Sequence, residues 1–128
     1  MRSMPRKQLL LVDPHSLFRR TVAAVARELN LADVHEASSH DAARLLLHSQ
    51  RFDALMLDIG EGLSAVAIVE DVRNGGTVSD TALPIALTAE SCDLATLTLF
   101  KQMQVRRIML KPFKVKTVLE VVSELTAN

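Results

Sequence analysis

The sequence predicts an α/β fold, a parallel sheet of five strands with helices on both faces. Short apolar runs alternate with longer segments of helical period, and that rhythm is the mark of repeated βα units. Four of the five runs are near-continuously hydrophobic, as strands buried on both faces must be. Polar residues of a recurring kind close these runs, which suits a sheet whose strands all end on one edge.

Taken in order, Gln8 to Val12 is the first strand, and Phe18, Val22, Val25 and Leu29 recur at the spacing of one apolar helix face. Asp33 to Ala37 is the second strand; its Val34-His35-Glu36 core is mixed in polarity and suits a sheet edge. Asp41 to Gln50 reads as a short second helix, with Ser38 or Ser39 as N-cap. The third strand is Phe52 to Leu57, followed by a helix on Val66, Val69 and Val72 that stops at Asn74-Gly75-Gly76. Pro84 to Leu87 is the fourth strand, and Leu94, Leu97 and Lys101, with Phe100 and Met103 alongside, mark the fourth helix. Arg107 to Leu110 is the fifth strand, and Val115, Val118, Val122 and Leu125 give a clear final helix. The one long connection, Asn74 to Leu83, is expected to be the most flexible segment.

The 128 residues fill about 0.85 of a domain on the usual prior of roughly 150 residues, so a single unit over 8–126 is expected, with 1–7 as an N-terminal extension. Hydrophobic residues make up 48%, enough for a sizeable core. Fifteen Lys+Arg balance fifteen Asp+Glu, so the field that draws nucleic acid or an anionic membrane is missing. The lack of Trp and Tyr removes the usual base-stacking platforms. A single cysteine, Cys92, fits a reducing compartment. Arg2, Arg6 and Lys7 precede an apolar run, but Asp13 ends that run too soon for a secretory signal, and no run is long enough to span a membrane. A cytoplasmic protein is expected.

The strand ends are the most informative positions. Leu9-Leu10-Leu11-Val12 ends in Asp13, Ala54-Leu55-Met56-Leu57 in Asp58, Ile85-Ala86-Leu87 in Thr88, and Ile108-Met109-Leu110 in Lys111. A parallel sheet gathers these on one solvent-facing rim, where open α/β sheets bind ligands. Two carboxylates, a hydroxyl and an ammonium together suit phosphoryl transfer to a carboxylate. One Asp is the nucleophile, the second helps hold a divalent ion, and Thr and Lys bind phosphoryl oxygens. Each residue alone is an ordinary turn former or cap; the set of four, with Pro112 after Lys111, is not.

At these residues the chain resembles the receiver domain of two-component response regulators, especially the single-domain chemotaxis type. Leu10-Leu11-Val12-Asp13 with Ser16 to Arg20, Leu55-Met56-Leu57-Asp58, Leu83 to Glu90 and Met109-Leu110-Lys111-Pro112-Phe113 carry the likeness. The resemblance implies a flavodoxin-like (βα)5 sheet in the order 2-1-3-4-5 and a cis Lys111-Pro112 bond. It implies a phosphoacceptor rather than an enzyme, with Asp58 receiving the group from a histidine kinase or phosphotransfer protein. Lys111 and Thr88 would bind the phosphoryl oxygens with help from the Ala89 N–H. Mg²⁺ would sit near Asp13, Asp58 and the Gly60 carbonyl. Output would pass to a downstream target protein by contact, with a homodimer also allowed and no nucleic acid or membrane involved.

The departures have consequences of their own. The family carries two acidic residues after its first strand, and here the second is Pro14, so Mg²⁺ binding is expected to be weak. After the acceptor comes Ile59-Gly60-Glu61-Gly62, a loop in which Glu61 is either a replacement ligand or a solvated charge. The aromatic of the fifth strand is Ile108, so the family's Thr/aromatic switch cannot run in its usual form.

A pseudo-receiver, an interaction module working without phosphorylation, is the alternative reading. A haloacid-dehalogenase-type phosphatase needs Asp-x-Asp, which Asp13-Pro14-His15 and Asp58-Ile59-Gly60 both lack, and the Asp13-to-Ser16 loop lacks a flavin phosphate cradle. His15, His35, His40 and His48 form no i,i+4 metal pair, and His15 is either a helix-start residue or a contact of the acidic rim. Cys92 stands where a helix start can lower a thiol pKa, though such a cysteine is ordinarily inert. Leu97, Leu99, Phe100 and Met103 exceed one buried face and are a partner surface or a wide core stripe.

Overall fold

The computed structural model describes residues 6–60 and 63–127. Along the chain run β1 (Gln8–Val12), α1 (Ser16–Glu28), β2 (Asp33–Ala37), α2 (His40–Ser49), β3 (Ala54–Asp58), α3 (Ser64–Arg73), β4 (Ile85–Ala89), α4 (Leu94–Gln102), β5 (Arg107–Leu110) and α5 (Val115–Thr126). The five strands form one parallel sheet in the order β2-β1-β3-β4-β5. Each crossover needs a helix, and each helix buries one apolar stripe on the sheet.

Alternation along the central strands divides the core in two. Leu10, Val12, Leu55, Leu57, Ile85 and Leu87 face α2, α3 and α4, where Leu47, Ile68, Val69 and Phe100 meet them. Leu9, Leu11, Ala54, Met56 and Ala86 face α1 and α5, against Val22, Val118, Val121 and Val122. Ser39 caps α2, its hydroxyl accepting the Ala42 N–H at 3.1 Å.

Several expectations are corrected. β3 begins at Ala54 and includes Asp58, while β4 runs through Thr88 to Ala89, so Asp58 and Thr88 are strand residues rather than loop residues. β5 is not buried throughout as its hydrophobic run predicts, since Arg107 and Leu110 are exposed. Leu29 points to solvent at the C-cap of α1, and Ala26 takes the buried place instead. The 74–83 connection is anchored. Its Val78 N–H donates to Leu47 O (3.1 Å), and its buried Ser79 hydroxyl accepts the Phe52 N–H (3.0 Å). Arg73 grips the Thr81 and Leu83 carbonyls, each at 2.8 Å.

Candidate functional site

Asp13, Asp58, Thr88 and Lys111 meet at the carboxyl edge because each lies at the carboxyl end of an apolar strand that the core holds in register. Lys111 Nζ lies 2.9 Å from Asp58 Oδ1 and 3.2 Å from Asp13 Oδ2. Thr88 Oγ1 donates to the same Asp58 Oδ1 at 3.1 Å. The site is sunk below the rim rather than facing solvent: Asp13 and Thr88 are each 1% exposed and Asp58 is 8%. Burial works against the charge on Lys111, but its hydrogen bond to Asp58 and the charges of Asp13 and Asp58 outweigh this and raise its pKa above the ordinary lysine value.

Asp13 is held on every side. Its Oδ1 accepts the His15 N–H (2.8 Å) and lies 2.9 Å from His15 Nδ1, while its carbonyl accepts from Arg19 at 2.7 Å. His15 therefore reaches the site through Asp13. The Ala89 carbonyl accepts the Lys111 N–H at 2.7 Å, which fixes where the lysine leaves the sheet, and the Lys111-Pro112 bond is cis. Gly60 has φ +64°, a left-handed turn that glycine adopts without a steric penalty. Glu61 lies outside the described residues.

A cleft of about 390 Å³ opens on this cluster, lined by Pro14, His15, Asp58, Gly60, Glu90, Ser91 and Lys111. On the other side of Gly60 a second cleft of about 340 Å³ reaches His40. A larger groove of about 510 Å³ between α1 and β2 is lined by none of these four groups. Sequence reasoning missed His40, whose Nε2 lies 2.7 Å from the Asp58 carbonyl oxygen. The i,i+4 search for metal-binding histidines passes over a ring that bonds to backbone.

The donors fit a divalent ion poorly. Both Asp13 oxygens and Asp58 Oδ1 are already engaged, and among the described residues no group of three or more His, Cys, Asp or Glu is placed to hold a metal. Among the described residues this leaves Asp58 Oδ2 and the Gly60 carbonyl, so water would fill most of an octahedral shell there.

Burial and the neighbouring Asp93 charge both raise the Cys92 pKa, the opposite of the lowering that a helix start can give. Asp93 caps α4 and is itself held below the usual carboxylate range, chiefly by the Thr96 N–H. Of the apolar residues on α4, Phe100 is buried in the core, Leu97 and Met103 are half-buried, and Leu94 and Leu99 are exposed.

No protein-family model matches the chain, and no curated protein matches it by sequence. Solved structures do. A response regulator receiver protein from Pseudomonas putida is 23% identical, with 95% of this chain and 99% of that one covered at a TM-score of 0.76. An orphan response regulator of H. pylori is 11% identical, over 96% and 100% of the two chains, with a TM-score of 0.81. The chain has the receiver-domain fold. A third receiver-fold neighbour, a response regulator from Burkholderia pseudomallei, is 19% identical over 91% of this chain and 66% of its own, at a TM-score of 0.73. That structure is described as carrying a phosphorylated aspartic acid, a calcium ion and citrate. Among the described residues of this receiver fold, no helix is long and apolar enough to cross a membrane.

Proposed function

We propose that this chain is a response-regulator receiver domain in phosphorelay signalling that accepts a phosphoryl group on Asp58. The observation that supports this most is the convergence of Lys111 Nζ at 2.9 Å and Thr88 Oγ1 at 3.1 Å on one oxygen of Asp58, below an open cleft. With Oδ1 so held, Oδ2 is the oxygen available to attack. It forms the bond to phosphorus, the bond from phosphorus to the donor breaks, and the leaving group takes that electron pair. The donor is a phosphohistidine on a histidine kinase or phosphotransfer protein. Lys111 and the Thr88 hydroxyl then turn from the carboxylate to the phosphoryl oxygens, with the Ala89 N–H as a further donor.

Mg²⁺ binding is weak on this reading, because Pro14 stands where the family has its second acidic residue and Asp13 is engaged by His15 and Lys111. Output follows through contact with a target protein. Incubation with acetyl phosphate and Mg²⁺ followed by intact-protein mass analysis tests the proposal: one added phosphoryl group, mapped to Asp58, is expected. The full engagement of Asp13 also favours the alternative of a module that signals without phosphorylation, and an unlabelled protein would select it.

A further inference from the structure

At the carboxyl edge the parallel ladders follow one rule. The Asp13 N–H donates to Ala37 O and the Ile59 N–H to Thr88 O. With Val12 opposite Ala37 and Asp58 opposite Thr88, each amide reaches the residue just before its own register partner. Val12 is likewise opposite Leu57, the last registered pair of β1 and β3, and the same register carried two residues on would bring position 14 opposite Ile59. The amide due at the Asp58 carbonyl is therefore that of residue 14. Residue 14 is proline and has no N–H.

His40, the first residue of α2, fills the place. Its Nε2 is 2.7 Å from Asp58 O, and since a carbonyl only accepts, the nitrogen facing it carries the hydrogen. The same ring lies against the turn after the acceptor: a Cβ at Gly60 would stand 3.4 Å from His40 Cε1 and 3.9 Å from Asp58 Oδ2. One side chain thus braces both the backbone of Asp58 and the left-handed turn that follows it.

We propose that His40 is a positioning residue for Asp58, supplying the hydrogen bond that Pro14 cannot, so that positions 14 and 40 act as a coupled pair. Its catalytic consequence rests on the phosphoacceptor reading; the hydrogen bond itself does not. Without it the Asp58 carbonyl loses its donor at a strand end that must hold a nucleophile still, and acyl-phosphate formation slows.

The test compares wild type with His40→Phe, His40→Gln, Pro14→Ala and the Pro14→Ala/His40→Phe double variant, following amide hydrogen exchange at Ile59 and Gly60 and the rate of labelling by acetyl phosphate. His40→Phe keeps a ring but removes the donor. It should speed exchange at both amides and slow labelling about tenfold, the value of one hydrogen bond of roughly 1.4 kcal/mol. His40→Gln, whose side-chain amide offers N–H at similar reach, should stay near wild type. Pro14→Ala restores a backbone N–H, so it should rescue His40→Phe while changing the wild type little. Unchanged exchange in His40→Phe, or no rescue in the double variant, overturns the proposal. If His40→Phe does not fold, a folded double variant supports the pairing and an unfolded one overturns it. Failure of wild type to label sinks the phosphoacceptor reading, while the exchange data still decide on His40.

Discussion

Lys111 and Asp13, 98 residues apart in sequence, meet at 3.2 Å across the carboxyl edge of the sheet. The same ammonium reaches Asp58 at 2.9 Å, so one cation serves two buried carboxylates that would otherwise repel. This arrangement sets what substitutions at the site should do.

Asp58→Asn should abolish labelling by acetyl phosphate and leave the fold intact. The amide keeps an oxygen for Thr88, and Lys111 keeps Asp13, so the stability change should stay within about 1 kcal/mol. Persistent labelling, read by mass, would reassign the acceptor.

Lys111→Met should destabilise the protein by on the order of 2 kcal/mol at neutral pH, because two buried carboxylates lose their common counter-charge. The pH dependence has a definite sign. The folded pKa of Lys111 is raised above 10.5, so its contribution is complete below that value and is lost as pH rises through the higher folded value. Denaturant titrations of both proteins across the alkaline range should therefore converge at high pH. A gap of constant size would mean that the ion pairs add no stability.

Pro14→Asp should tighten Mg²⁺ binding relative to wild type and to Pro14→Ala. Alanine restores only the backbone N–H, whereas aspartate adds a carboxylate near Asp13 and Asp58 and a ligand for an ion that gives up its waters reluctantly. Calorimetric titration with MgCl₂ separates the two effects. Equal affinities in all three proteins would show that another group already serves as the missing ligand.

Arg73→Met should lower stability by about 2 kcal/mol and loosen the C-terminal end of α4. The guanidinium donates at 2.8 Å to each of the Met103, Thr81 and Leu83 carbonyls, tying α3 to the starts of β4 and β5, and methionine fills the space without a donor. Burial, with Arg106 nearby, lowers its pKa from the ordinary arginine value, yet the group stays charged across any working pH. Exchange protection lost across the whole chain, rather than at Met103 to Val105 and Thr81 to Leu83, would contradict a local clasp.

The βα alternation and the polar residues closing each apolar run were legible because both are local properties: side-chain period and strand-end chemistry repeat within a few residues. Asp13, Asp58, Thr88 and Lys111 could therefore be named from the chain alone. The role of His40 could not, since it depends on which β1 amide is due at the Asp58 carbonyl, and that follows from a register between strands more than forty positions apart. The same holds for the exposure of Arg107 and Leu110 on β5, since a hydrophobic run does not show what packs over it.

Sequence by itself determined the elements, their order and the identities of the groups at the strand ends, because propensity, periodicity and capping act over one or two turns of chain. Only the tertiary structure decided how deeply Asp13 and Asp58 are buried, that one lysine bridges them, that the 74–83 connection is anchored, and that a histidine stands in for a missing amide. Burial and pairing are sums over neighbours distant in sequence, and no local pattern contains them.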